Sequence, residues 1–349
     1  MFPQEQKPSR VGGRVKGACL LLSTHGGAVA YRKGERMAIR IGVGFGGWPF
    51  PQPDPALLWE YVDTAEALDI DSVWLSDRVV SSVLSMEPII ALSFIAARTT
   101  KLKFGTSVLA LPLRNPTVLA KEIATLDFLS EGRVLPAVGL GTEDEREFEA
   151  CGSVRAQRAG RTDEAIVVMR RLWSEDDVTF HGRYFTLNGV TVRPRPVQAE
   201  LPPIWIGGRS EPALRRVARL GDGWLVSQAT PDEARAGIAK INSFAMEYGR
   251  EIDQEHFGAL FSFCFADSSE RARELASPYL LRRRTDVDHG ALSAFGTPDD
   301  VRRLIDRFID AGVTKFAVRP ACPPELMLDQ LEILGREVVP AYHGAAAPA

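Results

Sequence analysis

The feature that most constrains this chain is a strict alternation of short β-prone runs with amphipathic helical segments, starting at Ile39. Eight strands are predicted, each followed by a helix, at 39–45, 72–75, 102–110, 134–140, 203–207, 223–227, 257–266 and 315–319. Strands that alternate with helices pair in parallel, and eight such units favour a (β/α)8 TIM barrel. The connections that follow strands 4 and 7 are long, so insertions are expected at both places.

An open doubly wound sheet is the alternative that the sequence itself raises. The run "GVGFGG" from Gly42 to Gly47 has the glycines of a dinucleotide-binding fingerprint. That fingerprint requires a helix to begin at the last glycine. Trp48-Pro49-Phe50-Pro51 follows instead and cannot start a helix, which favours the barrel.

Composition narrows the classes of function. The 349 residues carry a net charge of -3, which gives no basic surface for nucleic acid or anionic membranes. The four cysteines are far apart, which argues against a zinc site or a disulfide framework and favours a cytoplasmic protein. No apolar run approaches the roughly 20 residues that span a bilayer.

The chain ends are expected to lie outside the barrel. Residues 1–36 carry only a short apolar run at 18–22, whereas a signal peptide needs about 7–15 apolar residues. We therefore predict an N-terminal extension at 1–36, a barrel at 37–343 and a flexible tail at 344–349.

Functional groups of a barrel lie at the carboxyl ends of its strands. Asp77 and Arg78 follow the second predicted strand, and Gly139-Leu140-Gly141 ends the fourth. Gly207-Gly208-Arg209-Ser210 directly precedes a helix, and exposed amides at a helix N-terminus suit a phosphate. Each motif alone could be an ordinary turn or a solvated strand end, but together they indicate a ligand site.

Nucleophilic catalysis has little support. No G-x-S-x-G elbow and no Cys/His pair is present in the sequence. Glycine-lined strand ends with a phosphate cradle point instead to a bound cofactor, for which the protein supplies orientation and electrostatics.

The chain from about Ile39 to Pro340 resembles the luciferase-like monooxygenase superfamily. The resemblance is carried by the order and spacing of "DSVWLSDR", "LKFGTSVLALPLRNPTVLAKEIATLDFLSEGRVLPAVGLG", "GRTDEAIVVMRRLW", "PPIWIGGRSEPALRRVARLGDGWL" and "GTPDDVRRLIDRFIDAGVTKFAVRP". It implies a barrel, usually dimeric, that binds either FMN or the deazaflavin coenzyme F420. "GTSVL" and "GGRSEPALRRVARLGDGW" look more like the F420 branch.

The same resemblance assigns roles to individual residues. Ser107-Val108 matches a non-prolyl cis peptide that forms a bulge behind the cofactor ring, and Asp77 matches an aspartate at the ring's edge. The remaining cofactor residues match two loops, one beside the cofactor's side chain (Gly139, Gly141, Thr142 and neighbouring Glu143) and one at its phosphate (Gly207, Gly208 and Ser210).

Arg78 is a departure from the pattern, because F420 enzymes commonly have a histidine there. An arginine stays charged and cannot act as a general base, but it can stabilise an anionic ring or clamp an anionic substrate. Asp77 or Glu143 would then handle protons, so the expected catalytic residues are Asp77, Arg78 and Glu143. Trp48 and Arg78 are expected to contact the substrate. Arg282 to Arg284 could reach an anionic ligand or form a solvated basic face.

The resemblance implies an F420-dependent oxidoreductase that transfers a hydride between the deazaflavin and a small organic substrate. Two alternatives remain open, an FMN-dependent monooxygenase supplied by a partner reductase, and a flavin-binding barrel without turnover. No metal site, nucleic-acid partner or membrane partner is expected, and the protein is expected to be a homodimer.

Overall fold

A computed structural model describes residues 38–280 and 284–343. The predictions for residues 1–36 and 344–349 lie outside the described residues. In the described part the strands are β1 (Arg40–Phe45), β2 (Ser72–Leu75), β3 (Lys103–Thr106), β4 (Leu109–Ala110), β5 (Val134–Leu135), β6 (Ala137–Gly139), β7 (Val178–His181), β8 (Thr186–Val190), β9 (Trp205–Gly207), β10 (Gly223–Ser227), β11 (Phe257–Phe265), β12 (Ser293–Gly296) and β13 (Lys315–Pro320).

The predicted helices fall between these strands, and three short helices at 145–150, 269–276 and 289–292 were not predicted. The helices of the described residues are α1 (Pro55–Ala67), α2 (Pro88–Arg98), α3 (Pro116–Leu129), α4 (Glu145–Ala150), α5 (Arg158–Ser174), α6 (Glu211–Leu220), α7 (Pro231–Glu247), α8 (Ser269–Ala276), α9 (His289–Leu292), α10 (Pro298–Asp310) and α11 (Met327–Ile333). Asp54 and Asn115 are the N-cap residues of α1 and α3. Each side chain accepts a hydrogen bond from a first-turn amide, and a proline follows at the first helical position. None of the described helices is long and apolar enough to cross a membrane.

Parallel pairing closes the sheet into a barrel. Strand β1 pairs with β2, and β2 pairs with β3. The next two barrel strands are each broken in the middle, so β3 pairs with β5 while β4 pairs with β6. Strands β6, β9, β10, β11 and β13 continue the ring, and β13 returns to β1. The (β/α)8 prediction is confirmed.

The two predicted insertions are also present. The first contains the antiparallel hairpin β7–β8, which stands apart from the barrel sheet. The second contains α8, α9 and β12, and β12 extends the sheet alongside the carboxyl-terminal half of β11. Strand β12 was not predicted, because four residues within a turn-rich insertion carry no readable alternation.

Large side chains fill the inside of the barrel. Trp74 and Trp205 lie there with Leu135, Leu225 and Leu260, and the partly buried Val108 packs on top of this cluster. A Cβ at Gly105 would lie 2.3 Å from the Leu135 carbonyl oxygen and 2.8 Å from the Trp74 ring. The barrel is therefore a packed core below its mouth, as in other TIM barrels.

A cluster of charges closes the opposite, amino-terminal end of the barrel. The Lys315 ammonium, 5% exposed, lies 2.9 Å from an oxygen of Asp71, whose other oxygen lies 3.5 Å from Lys103. Burial alone would raise the pKa of Asp71, but the charges of Lys315 and Lys103 lower it to about 2. Ionised Asp71 therefore stabilises the fold at neutral pH.

Asp71→Asn should remove this contribution and change the acid sensitivity of the protein. Because the pKa of Asp71 is lowered on folding, the stabilisation is complete above the unfolded value near 4 and is lost as pH falls towards 2. A shift of this size corresponds to about 2.5 kcal/mol of unfolding free energy at pH 7. Urea unfolding at pH 7 and pH 3 measures it. The control is Asp69→Asn, at an exposed aspartate two residues earlier, which should not change the free energy of unfolding at either pH.

Candidate functional site

Three polar groups from different strands meet at the carboxyl-terminal mouth of the barrel. Arg319, from β13, donates from Nη2 to Ser76 Oγ at 2.7 Å and to Ser107 Oγ at 2.9 Å. The same nitrogen is 3.1 Å from the Ser107 carbonyl oxygen, which also accepts from the Ser76 hydroxyl at 3.2 Å. A cation and two hydroxyls are thus held together beside Gly46, where a Cβ would be 3.7 Å from the guanidinium.

The Ser107–Val108 peptide bond is cis, as the resemblance predicted. It separates β3 from β4 and directs the Val108 side chain between the ends of two neighbouring strands. A Cβ at Gly139 would lie 2.5 Å from Val108 Cγ2, and one at Gly207 would lie 3.1 Å from Val108 Cγ1. These two glycines therefore make room for the bulge, which gives the barrel mouth an apolar floor.

Asp77 is buried directly behind this bulge. Its carboxylate accepts from the Ala110 amide at 2.9 Å and from Arg114 Nη2 and Nε at 2.9 and 3.3 Å, and its side chain is 1% exposed. Arg114 also pairs with Glu87 at 2.9 Å. Burial raises the pKa of Asp77 above its ordinary value, although the Arg114 guanidinium opposes this. Asp77 therefore fixes the chain after the bulge through bonds that occupy both of its oxygens.

Glu147 on α4 connects the loops that follow β2 and β6. It is 1% exposed and accepts from the amides of Val79 and Val80 at 2.8 and 3.3 Å. Its other oxygen accepts from the Thr142 hydroxyl at 2.8 Å. Arg78 Nε lies 3.6 Å from the same carboxylate, and Arg78 Nη2 donates to the Val80 carbonyl. A buried carboxylate thus orients Arg78, whose side chain is 36% exposed.

Glu143 lies on the surface of the protein. Its side chain is 76% exposed and forms ion pairs of 2.7 Å with both Arg155 and Arg158. The hydrogen bond from Arg158 and the charges of both arginines lower the pKa of Glu143. The role of catalytic acid that was predicted for Glu143 stays a prediction, and this exposed position between two arginines does not favour it.

The loop after β9 keeps the features of an anion cradle. Gly208 has φ +111°, and its carbonyl accepts from the Trp224 indole nitrogen at 2.8 Å. Ser210 occupies the N-cap position of α6 as predicted, but its hydroxyl makes no capping hydrogen bond. Pro212 has no amide hydrogen, and the Ala213 and Leu214 amides donate to the Ser210 carbonyl, so the amides that suit an anion are those of the segment leading into α6, from Arg209 to Glu211.

Gly141 and Trp48, two further residues of the predicted site, pack against neighbouring aromatic side chains. Gly141 has φ +77°, a region that favours glycine, and a Cβ there would meet Phe148 at 3.3 Å. Trp48 packs edge-on against Phe50 and donates from Nε1 to the Gln52 carbonyl at 2.6 Å. Trp48 is partly buried beside the β1 end of the mouth.

Of the basic stretch, Arg282 and Arg283 lie outside the described residues. Arg284 is 8% exposed and binds the Glu233 carboxylate at 2.8 Å, the Asp286 carboxylate at 2.5 Å and the Gln228 carbonyl at 3.0 Å. These bonds occupy the guanidinium, so Arg284 itself is neither a free anion contact nor part of a solvated basic face, and for this residue the prediction is wrong.

Sequence reasoning missed Arg319, Glu147 and Arg114. Arg319 lies at the carboxyl end of the last strand, in "FAVRP", and this end of a barrel strand is where functional groups are expected. Glu147 stands in the charged run "EDEREFEA", where nothing distinguishes a buried carboxylate from the exposed ones around it.

The residues at the mouth fit a flavin-type group in three respects. An apolar bulge bordered by glycines can support the face of a flat ring. The segment between β9 and α6, which no side chain caps, can bind its phosphate. Cationic Arg319 and Arg78 lie on the strand ends beside that floor and can stabilise negative charge.

Comparison with known proteins places these features in a family. The model of the luciferase-like monooxygenase family matches residues 36–315. An F420-dependent glucose-6-phosphate dehydrogenase from Kineococcus radiotolerans is 35% identical over 179 residues, 49% of this chain and 52% of that protein. The chain thus spans about half the length of that curated relative.

Two solved structures share the fold across nearly their whole length. An F420-dependent secondary alcohol dehydrogenase in complex with an F420–acetone adduct superimposes with a TM-score of 0.74, 24% identity and coverage of 88% of this chain and 99% of that one. The FMN-bound oxygenating constituent of 3,6-diketocamphane monooxygenase from Pseudomonas putida gives a TM-score of 0.74, 19% identity and coverage of 89% and 100%.

Proposed function

This chain belongs to the luciferase-like monooxygenase family, and we propose that within it the chain is a coenzyme F420-dependent oxidoreductase. In this role it transfers a hydride between the deazaflavin and a small organic substrate. The observation that carries the proposal is the mouth itself, where the Val108 bulge lies between Gly139 and Gly207 next to the uncapped start of α6. The similarity to an F420-dependent dehydrogenase favours the deazaflavin over FMN.

In this proposal, different residues of the mouth hold different parts of the cofactor. Ser107 and Val108 support the ring, with Gly139, Gly141 and Thr142 beside its side chain. Gly207, Gly208 and Ser210 cradle the phosphate. When bound, the deazaflavin supplies a carbon that accepts or donates a hydride. Arg319 and Arg78 offer fixed positive charge where negative charge develops in the transition state, a large source of rate acceleration in enzymes.

Asp77 acts as a positioning residue in this proposal. Its oxygens are occupied by the Ala110 amide and Arg114, so it holds the bulge and the ring's edge in place. Trp48 and Arg78 are proposed to contact the substrate.

An FMN-dependent monooxygenase is the second candidate. It is favoured by the family's name and by the FMN-bound structure from Pseudomonas putida, which has the same fold. In that case a partner reductase would supply reduced flavin, and molecular oxygen would be consumed.

Titrating the purified protein with coenzyme F420 and with FMN, followed by fluorescence, separates these candidates. We expect F420 to bind at least about tenfold more tightly, a difference of about 1.4 kcal/mol. Turnover is then followed by the absorbance of F420 with a panel of alcohols and reducible carbonyl compounds. Preferential binding of FMN with oxygen consumption would overturn the proposal in favour of the monooxygenase. Binding without turnover of any substrate would leave only a flavin-binding barrel.

Arg78→His tests the residue that departs from the family pattern. The new imidazole would lie beside the buried Glu147 carboxylate, which should raise its pKa above about 6.5. We expect cofactor affinity to change less than about threefold, while the pH profile of hydride transfer gains an inflection above about pH 6.5. A profile identical to that of the wild type would mean that residue 78 does not act at the reacting atoms.

A further inference from the structure

A cavity of about 180 Å³ lies between α6 and α7, outside the barrel wall and next to the anion cradle. Leu214 of α6 and Trp224 and Val226 of β10 form its apolar floor. Because the Trp224 indole also donates to the Gly208 carbonyl, the cavity and the cradle share one residue. Arg209 lines the cavity and lies between Gly208 and Ser210, so the cavity begins where the cradle ends.

The charges around this cavity are predominantly positive. Arg209 and Lys240 line it, and both are exposed. Among the described residues, neither of them has a hydrogen-bond or ion-pair partner, although the charge of Arg209 acts on Glu233 and on Asp286, whose carboxylate already binds Arg284. Glu233 is the acidic residue of the lining, and its carboxylate already binds Arg284 and the Thr230 amide. Two cations therefore remain available to a ligand, while the one carboxylate is neutralised.

We propose that this cavity binds a carboxylate group of the cofactor's tail, in the part of the molecule beyond its phosphate. The inference rests on the proposed function and deepens it. Coenzyme F420 continues past the phosphate into an oligoglutamate tail, whereas FMN ends at the phosphate. A glutamyl group has a short aliphatic stem and an anionic end, which match an apolar floor bordered by an arginine and a lysine. The site would thus distinguish the deazaflavin coenzyme from FMN.

The test compares two ligands that share the ring and the phosphate. Coenzyme F420 carries the oligoglutamate tail, and the 5′-phosphate of its ribityl deazaflavin (FO phosphate) lacks it. We expect wild-type protein to bind F420 about tenfold more tightly than FO phosphate in fluorescence titrations. Exposed ion pairs contribute modestly, so Lys240→Ala should weaken F420 about fivefold while leaving FO phosphate unchanged, and Arg209→Ala, next to the cradle, should weaken F420 more than FO phosphate. Added salt should reduce the advantage of F420.

Two further variants separate the cavity from the general charge of this face. Arg235→Ala removes an exposed arginine of α7 that does not line the cavity, and it should leave both affinities unchanged. Ala236→Phe fills the cavity without altering its charge, and it should abolish the advantage of F420 over FO phosphate.

The outcomes distinguish this inference from the function on which it rests. If F420 and FO phosphate bind equally tightly to the wild type, or if the variants weaken both ligands equally, the tail site is refuted and the cofactor assignment stands. If neither ligand binds, the proposed function itself fails, and the tail site fails with it.

Discussion

Gly139→Ala should lower kcat/KM with the cofactor by about a hundredfold, because the added methyl displaces the bulge that supports the ring. A Cβ at residue 139 would lie 2.5 Å from Val108 Cγ2, closer than two carbon atoms can approach. Val108 is partly buried on the inner core and is flanked by Gly207 on its other side, so its side chain cannot move without the backbone. Misplacement by about 1 Å is enough to cost a hundredfold in rate.

A double-mutant cycle with Val108→Ala isolates this contact. Removing the Val108 methyl groups creates the space that the residue-139 methyl needs, so Gly139→Ala should cost little more in the Val108→Ala background. The free-energy effects of the two substitutions would then be strongly non-additive, as expected for residues in direct contact. Additive effects on kcat/KM would contradict this explanation, because they would show that the effect of Gly139→Ala does not depend on contact with Val108.

Asp77→Ala should destabilise the fold by about 4 kcal/mol, because it leaves a buried cation without its main partner. Arg114 is 16% exposed on its side chain and donates two hydrogen bonds to Asp77, whose carboxylate also accepts from the Ala110 amide. Breaking a buried ion pair by removing one partner typically costs about 3–5 kcal/mol. Glu87 still binds Arg114, which limits the loss. Urea unfolding monitored by circular dichroism measures the change.

Asp63→Ala is the matched control for that substitution. Asp63 forms an equally well-aligned pair with Arg98, with two contacts of 2.6 Å, but both side chains are close to half exposed. Exposed pairs contribute little, so this variant should unfold at nearly the wild-type urea concentration. Equal destabilisation by the two alanine substitutions would contradict the positioning role of Asp77, since burial would then make no difference.

The barrel could be predicted from the sequence because its signals are local and repeated. Short β-branched runs alternate with capped amphipathic helices, and Asp54 and Asn115 cap the helices that their sequence context predicts. The cis peptide at Ser107–Val108 could be predicted only through family resemblance, because nothing in the local chemistry of serine and valine indicates it.

The electrostatic partners could not be predicted in the same way. Asp77 binds Arg114, 37 residues away, and Arg319 binds Ser76 across 243 residues. Such pairs depend on the closure of the barrel, which brings strand ends together regardless of their separation in sequence. Glu143 also has partners that the sequence did not reveal, since it follows a glycine-rich strand end yet turns outward to Arg155 and Arg158. The position of a residue along the sequence indicates which end of the barrel it occupies but not its partner.

A crystal structure of the protein with coenzyme F420 would test the central claim most directly. The claim predicts that one face of the ring contacts Val108 and that the phosphate accepts hydrogen bonds from the Gly208–Ser210 segment at the start of α6. A ring bound away from the Ser107–Val108 bulge, or a phosphate far from that segment, would contradict it.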